Sequence, residues 1–178
     1  MIYLTDILTE SLFGGSLKMK SHEKLMANAV VSFMNDKFNM KPTIIVKKKD
    51  KDGYGGNIVL SDTAVKKKRF YLYFNPNYSY KDIIRIMLHE LTHVKQVYKG
   101  ELLPSSDDKF IMWKGKEYIS VTDYKRAMRK GGTEYMNFPW EVEAEQNMKK
   151  LYNKFIRSKH WQELKGEDPK LDAIIDKL

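Results

Sequence analysis

The sequence contains no cysteine and only four histidines among its 178 residues. Without thiols the chain cannot form disulfide bonds, and this absence fits a protein of the cell interior. A metal ion would have to be bound by imidazole and carboxylate groups, because thiolate ligands are missing. Candidate metal ligands are therefore restricted to His, Asp and Glu.

Long apolar runs are also missing. Asp6 and Glu10 interrupt the apolar residues near the start, so the sequence lacks the continuous core of a signal peptide. Elsewhere no apolar run reaches the length of a membrane-spanning helix. We therefore expect a cytoplasmic, non-exported protein without a membrane span.

The start of the chain differs in character from the rest. An amphipathic stretch runs from Ile2 to Phe13 and meets Gly14-Gly15-Ser16, which is typical of a flexible joint. We expect residues 1–20 to form a leader or docking segment. The remaining length suits a single domain over residues 21–178.

Acidic residues are in the minority, since 23 Asp and Glu stand against 32 Lys and Arg and leave a formal net charge of +9. An excess of this sign favours acidic partners, nucleic acid among them. The lysines concentrate in two clusters, Lys47–Lys49 with Lys51, and Lys66–Arg69. These clusters are either solvated hairpin ends or a patch for an acidic partner, and no nucleic-acid motif with interleaved aromatic residues decides between the two.

The apolar periodicity changes from helix to strand in the first half of the chain. A helical pattern opens at Ser21 and ends before Pro42. Three β-branched and aromatic runs follow, separated by turn-forming segments: Thr43–Val46, Asn57–Leu60 and Phe70–Phe74. We expect these runs to form a small, mostly antiparallel sheet in an α+β fold.

A central helix is expected next, because Ser79 and Asp82 have the spacing of a capping box and Gly100 suits a helix end. Residues 101–137 are expected to be irregular apart from a hairpin around Trp113–Lys116. A further helix is predicted to begin near Asn137 with Pro139 in its first turn, and a last short helix follows Pro169.

The central helix carries the motif His89-Glu90-Leu91-Thr92-His93. Two histidines four residues apart leave a helix on the same face, so both imidazoles can bind one ion. Glu90 lies about 100° around the helix from His89 and can lean over an open coordination position, where it can accept a proton from water. The motif predicts a zinc site with Glu90 as general base.

A zinc site that keeps a water needs a third protein ligand. His22 and His160 lie in polar stretches and are expected to be exposed or locally hydrogen-bonded. Glu141 and Glu145 are one turn apart on the apolar stripe of the later helix, whereas Glu143 should face solvent. Either Glu141 or Glu145 can therefore be the third ligand.

The chain resembles the gluzincin branch of the HExxH metallopeptidases in two segments, His89–His93 and Pro139–Glu145. In that branch a Glu from a later helix is the third zinc ligand, and an acidic residue four positions on supports a ligand histidine. The resemblance implies a zincin-like fold, Glu141 as ligand and Glu145 as its supporting residue. The chain departs from the large gluzincins in having no Asn before Glu141.

The segment Pro-Trp-Glu-x-Glu-Ala also resembles small HExxH proteins often encoded by tailed bacteriophages, which implies a phage-encoded, virion-associated protein. The likeness covers roughly residues 43–158 and is strong only in the two motifs.

The expected activity is hydrolysis of a peptide bond in a protein or peptide substrate by a metal-activated water. Tyr118 and Tyr135, in the region expected to cover the site, are candidates for stabilising the oxyanion. The strand Phe70–Phe74 could bind an extended peptide along its edge. The alternative is a basic binding module that docks on nucleic acid or an acidic assembly and has an inactive or structural metal site.

Overall fold

The computed structural model describes residues 19–48, 56–59, 67–130 and 133–175. Most of the expected leader, together with Lys49, Lys51 and Lys66, lies outside these residues. The helices are α1 Ser21–Phe38, α2 Tyr80–Tyr98, α3 Val121–Lys130, α4 Thr133–Met136, α5 Pro139–Phe155, α6 Lys159–Gln162 and α7 Pro169–Ile175. The strands are β1 Thr43–Lys48, β2 Gly56–Val59, β3 Arg69–Phe74, β4 Leu102–Pro104, β5 Phe110–Trp113 and β6 Lys116–Ser120. The predicted α+β class is confirmed.

The first sheet has the strand order β1-β3-β2 and is mixed. β1 runs parallel to β3, with Thr43 opposite Arg69, while β2 runs antiparallel to β3, with Gly56 opposite Phe74. The expected antiparallel pairing is thus met only between β2 and β3. Because β3 is bonded on both sides, the prediction that Phe70–Phe74 offers a free edge to a peptide is wrong.

The strand β3 contributes one face to the core. Phe70, Leu72 and Phe74 alternate with more exposed residues and are buried, as expected for a strand with one face against helices. The helix α2 packs across β2 and β3. The HExxH helix is therefore held on one side by the sheet.

The ends of α2 were predicted correctly. The Oγ atom of Ser79 accepts a hydrogen bond of 3.2 Å from the backbone N–H of Asp82, which satisfies one of the unpaired donors of the first turn. At the other end Gly100 has a φ of 72°, a left-handed conformation that favours glycine after a helix.

Residues 101–137 are more regular than expected. β4, β5 and β6 form an antiparallel sheet, and the predicted hairpin turns through Lys114 and Gly115, whose φ angles of 50° and 81° suit a two-residue turn. α3 was missed, although Ser120 accepts a hydrogen bond of 3.1 Å from the N–H of Asp123 at its start. Its many charged residues concealed its narrow buried face.

The helix α5 begins with Pro139 at its first turn and packs along α2. α1 lies against α2 and also contacts α6 and α7. The side chains that fill the space between α2, α5 and the first sheet include Ile84, Met87, Leu88, Leu91, Phe155 and Leu72. The pairing of α2 with α5 brings the two sequence motifs together.

Part of the first lysine cluster is structural. Lys48 is buried and its Nζ lies 2.9 Å and 3.0 Å from the two carboxylate oxygens of Glu23 on α1. Lys47 lies over the ring of Tyr71, 5.2 Å from its centroid. Lys48 therefore belongs neither to a solvated hairpin end nor to a binding patch, because it is buried in an ion pair with Glu23.

The two histidines outside the motif do not join the candidate site. Nε2 of His22 is hydrogen-bonded to the hydroxyl of Tyr80 at 2.7 Å, and His22 is buried rather than exposed. Nε2 of His160 lies 3.1 Å from Oδ2 of Asp36. Both contacts are with residues distant in sequence, so the expectation of exposed or local histidines needs this correction.

Among the described residues, no helix combines the length and apolar character needed to cross a membrane.

Candidate metal centre

Three potential ligand atoms meet where α2 lies against α5. Nε2 of His89 and Nε2 of His93 are 3.2 Å apart, and Oε2 of Glu141 is 3.3 Å from each of them. His93 and Glu141 are buried, and His89 is partly exposed. The three atoms form a nearly equilateral triangle whose His89 corner is the most open to solvent.

The dimensions of this triangle fit a metal ion. With His and carboxylate ligands at about 2.0–2.1 Å, the ligand atoms of a tetrahedral zinc site lie about 3.3–3.4 Å apart. The separations of 3.2 Å and 3.3 Å are close to that value. His89, His93 and Glu141 can therefore hold one ion.

The electrostatics of the cluster also favour a cation. Burial raises the pKa of Glu141, but the charge of His93 and hydrogen bonds from His89, His93 and Tyr135 outweigh it and hold the pKa below its ordinary value. Burial likewise lowers the pKa of His93, but Glu141 outweighs it and raises that pKa to about 9. A buried carboxylate needs positive charge beside it, and a divalent ion at the triangle would supply it.

Tyr135, on the short helix α4, contacts the candidate ligand directly. Its hydroxyl donates a hydrogen bond of 2.5 Å to Oε1 of Glu141. Burial, followed by the charge of Glu141, raises the pKa of Tyr135 far above the ordinary tyrosine value, so the hydroxyl stays protonated. The contact leaves Oε2 of Glu141 directed toward the two histidines.

The two other acidic residues of this segment behave differently from each other. Oε2 of Glu145 lies 3.9 Å from Nδ1 of His89, and the side chain is 44% exposed, so it lies beside the ligand without a hydrogen bond of ordinary length. The prediction that Glu143 faces solvent needs correction, because Glu143 is only partly exposed. Its carboxylate binds Lys95 at 3.0 Å and Lys114 at 2.9 Å, which ties α5 to α2 and to the β5–β6 turn.

Glu90 is half-buried on α2, one residue after the first ligand histidine. Its charge contributes to raising the pKa of both His93 and Tyr135. Because such effects fall off with distance, the carboxylate belongs to the same electrostatic environment as the triangle.

Tyr118 packs among aromatic residues. Its ring packs edge-to-face against Phe138 and Trp140, with centroids 6.2 Å and 5.4 Å away, and half of the residue is exposed. Together with Tyr124 and Tyr135, these rings form an aromatic cluster beside Glu141. The cluster fixes the entry of α5 and so the position of Glu141.

One buried polar residue was missed by sequence reasoning. Oε1 of Gln96 lies 2.9 Å from Nδ1 of His93, and Nε2 of Gln96 donates a hydrogen bond of 3.0 Å to the carbonyl of Trp140. The signal was a polar residue within the buried stripe of α2, one turn after His93. Its hydrogen-bond partner on α5, the carbonyl of Trp140, is 44 residues away in sequence. The local sequence pattern around Gln96 could not predict that contact.

Comparison with known proteins adds no assignment: no protein-family model matches the chain, and neither a curated protein nor a solved structure shows significant similarity to it.

Proposed function

We propose that this protein is a zinc-dependent peptidase of the gluzincin type, with His89, His93 and Glu141 as ligands. The observation that carries the proposal is the triangle of ligand atoms with sides of 3.2–3.3 Å. A zinc ion held there would lower the pKa of a water toward neutrality and polarise the carbonyl of a substrate.

Glu90 is the general base in this proposal. Two ligand histidines one turn apart leave the intervening glutamate beside the open coordination position, and the charge of Glu90 is felt at both His93 and Tyr135. Glu90 accepts a proton from the attacking water and donates it to the leaving amine, which releases the product chain.

Tyr135 is the better placed of the two candidate oxyanion donors, because its hydroxyl reaches the cluster through Glu141. That hydrogen bond would have to be exchanged for one to the substrate before the tyrosine could stabilise an oxyanion. Tyr118 packs against the aromatic cluster instead. We assign Tyr135 to the site and leave Tyr118 out of the chemistry.

The rival function, a basic module that docks on an acidic partner, has less support. Lys48 of the first lysine cluster is buried against Glu23 and cannot contact a partner. A structural or inactive metal site in such a module would also account for the triangle, but it would give Glu90 no role, whereas a zinc peptidase uses Glu90 as its general base.

Metal content and cleavage of a peptide library test the proposal. The wild type should bind one zinc ion per chain and cleave peptides. Glu90→Gln should keep the metal and lose about 10²–10⁴-fold in rate, as expected for removal of a general base. Glu117→Gln makes the same chemical change at an exposed position on β6 and should cleave normally.

Two results would overturn the proposal. The first is a folded protein that stays metal-free in excess zinc. The second is a Glu90→Gln variant that cleaves as fast as Glu117→Gln.

A further inference from the structure

Gln96 connects the two helices that supply the ligands. It is fully buried on α2, yet both ends of its amide are hydrogen-bonded, one to His93 on the same helix and one to the carbonyl of Trp140 on α5. Trp140 immediately precedes Glu141. A single side chain therefore contacts one ligand and the backbone beside another.

The partners of Gln96 determine which way its amide points. A backbone carbonyl only accepts hydrogen bonds, so the NH₂ group of Gln96 must face Trp140 and its oxygen must face His93. An amide oxygen carries no proton, so Nδ1 of His93 must be the donor. The ring is thereby set with a proton on Nδ1, which leaves the lone pair of a neutral imidazole on Nε2.

Nε2 is the atom of His93 that faces the triangle, 3.2 Å from Nε2 of His89 and 3.3 Å from Oε2 of Glu141. The hydrogen bond that His93 donates to Gln96 thus selects the tautomer that metal binding requires. His89 has no equally short contact at Nδ1, where Oε2 of Glu145 is 3.9 Å away. The orientation of His93 is consequently the better defined of the two.

We propose that Gln96 is a positioning residue that holds a proton of His93 on Nδ1 and turns Nε2 toward Glu141, so that Nε2 is the nitrogen offered to the ion. This inference rests on the proposed zinc site. It assigns no contact with substrate to Gln96.

Three variants separate this role from a general contribution to the core. Gln96→Met removes both hydrogen bonds at similar length. Gln96→Glu keeps an acceptor for His93 but cannot donate to Trp140. Thr92→Val is the matched control, because Thr92 is equally buried on α2 and its hydroxyl donates only to the carbonyl of Leu88 at 2.8 Å.

Zinc affinity is measured by competition with a chromophoric chelator, and the Nδ1 proton of His93 by long-range ¹H–¹⁵N correlation in the zinc-loaded protein. Gln96→Met should weaken zinc binding by about 10–100-fold, the usual effect of losing a hydrogen bond to a ligand, and should lose the protected Nδ1 signal. Gln96→Glu should keep that signal, and Thr92→Val should keep both signal and affinity.

The inference is overturned if Gln96→Met binds zinc as tightly as the wild type, or if Thr92→Val weakens binding as much as Gln96→Met. Should Gln96→Met fail to fold, Gln96→Glu decides, since loss of its Nδ1 signal contradicts the role. Neither readout involves cleavage. Zinc binding and the Gln96 effect without peptidase activity would refute the proposed function alone, whereas a silent Gln96→Met beside an inactive Glu90→Gln would refute only this inference.

Discussion

The hydroxyl of Tyr135 and the carboxylate of Glu141 are joined by a hydrogen bond of 2.5 Å. The bond engages Oε1 and leaves Oε2 of the same carboxylate equidistant from the two ligand nitrogens, at 3.3 Å. A carboxylate held in this way is set to bind a metal through one oxygen. That arrangement keeps a coordination position open, which a catalytic zinc site needs.

Replacing Tyr135 by Phe tests this relationship. A hydrogen bond to a charged group contributes about 1.5–3 kcal/mol, so Tyr135→Phe should weaken zinc binding by about tenfold or more. Competition titration against a chelator measures the change, and Tyr118→Phe, at an exposed ring, serves as the control. Unchanged zinc affinity with lost cleavage would mean that Tyr135 acts on the substrate oxyanion alone and does not position Glu141.

The choice of third ligand is tested by two substitutions one turn apart. Glu141→Gln should weaken zinc binding by about 100-fold or more, because a neutral amide replaces the buried carboxylate ligand. Glu145→Gln should weaken it by no more than about tenfold, since Glu145 is nearly half exposed and stands 3.9 Å from His89. Isothermal titration calorimetry with zinc compares the affinities of the two variants. A larger loss of affinity in Glu145→Gln than in Glu141→Gln would make Glu145 the ligand.

The ion pair between Lys48 and Glu23 should matter for stability. Lys48→Met leaves the carboxylate of Glu23 buried without its cation, which typically costs about 3–5 kcal/mol of unfolding free energy. Urea denaturation at pH 7 measures the loss. Lys47→Met, at the neighbouring residue that lies over Tyr71, should lower the unfolding free energy much less. Equal losses in the two variants would mean that the ion pair between Lys48 and Glu23 does not contribute specifically to stability.

The same pair predicts a pH dependence. Burial raises the pKa of Glu23, but hydrogen bonds from Lys48 and from the backbone of Lys20 outweigh it and leave the pKa below its ordinary value. A lowered carboxyl pKa contributes to the free energy of unfolding above the pKa of the unfolded chain, which is about 4.3. This contribution is lost as the pH falls from that value through the lower pKa of the folded state.

In Lys48→Met the remaining effect of burial should raise the pKa of Glu23, so acidification should relieve the unpaired charge. The stability difference between wild type and variant should therefore narrow from pH 7 to pH 4 in urea titrations. A difference that stays constant over this range would show that the charge of Glu23 is not responsible.

Several local features were readable from the sequence because they depend on neighbours within a few residues. The spacing of His89 and His93, the cap at Ser79 and the turn at Lys114-Gly115 all have the predicted structure. Pro139 also begins α5 as expected. Each follows from helix periodicity or from backbone conformations that particular residues favour.

The assembly of the site required contacts between distant parts of the chain. Only the packing of α5 on α2 brings Glu141 to 3.3 Å from both histidines and Gln96 to the carbonyl of Trp140. Similarly, the parallel pairing of β1 with β3 and the burial of Lys48 against Glu23 depend on where strands and helices meet. Residue identity determined by itself which groups can bind a metal or carry charge. The tertiary structure decided which of them meet, because side chains far apart along the chain, such as His89 on α2 and Glu141 on α5, come together only where their helices pack.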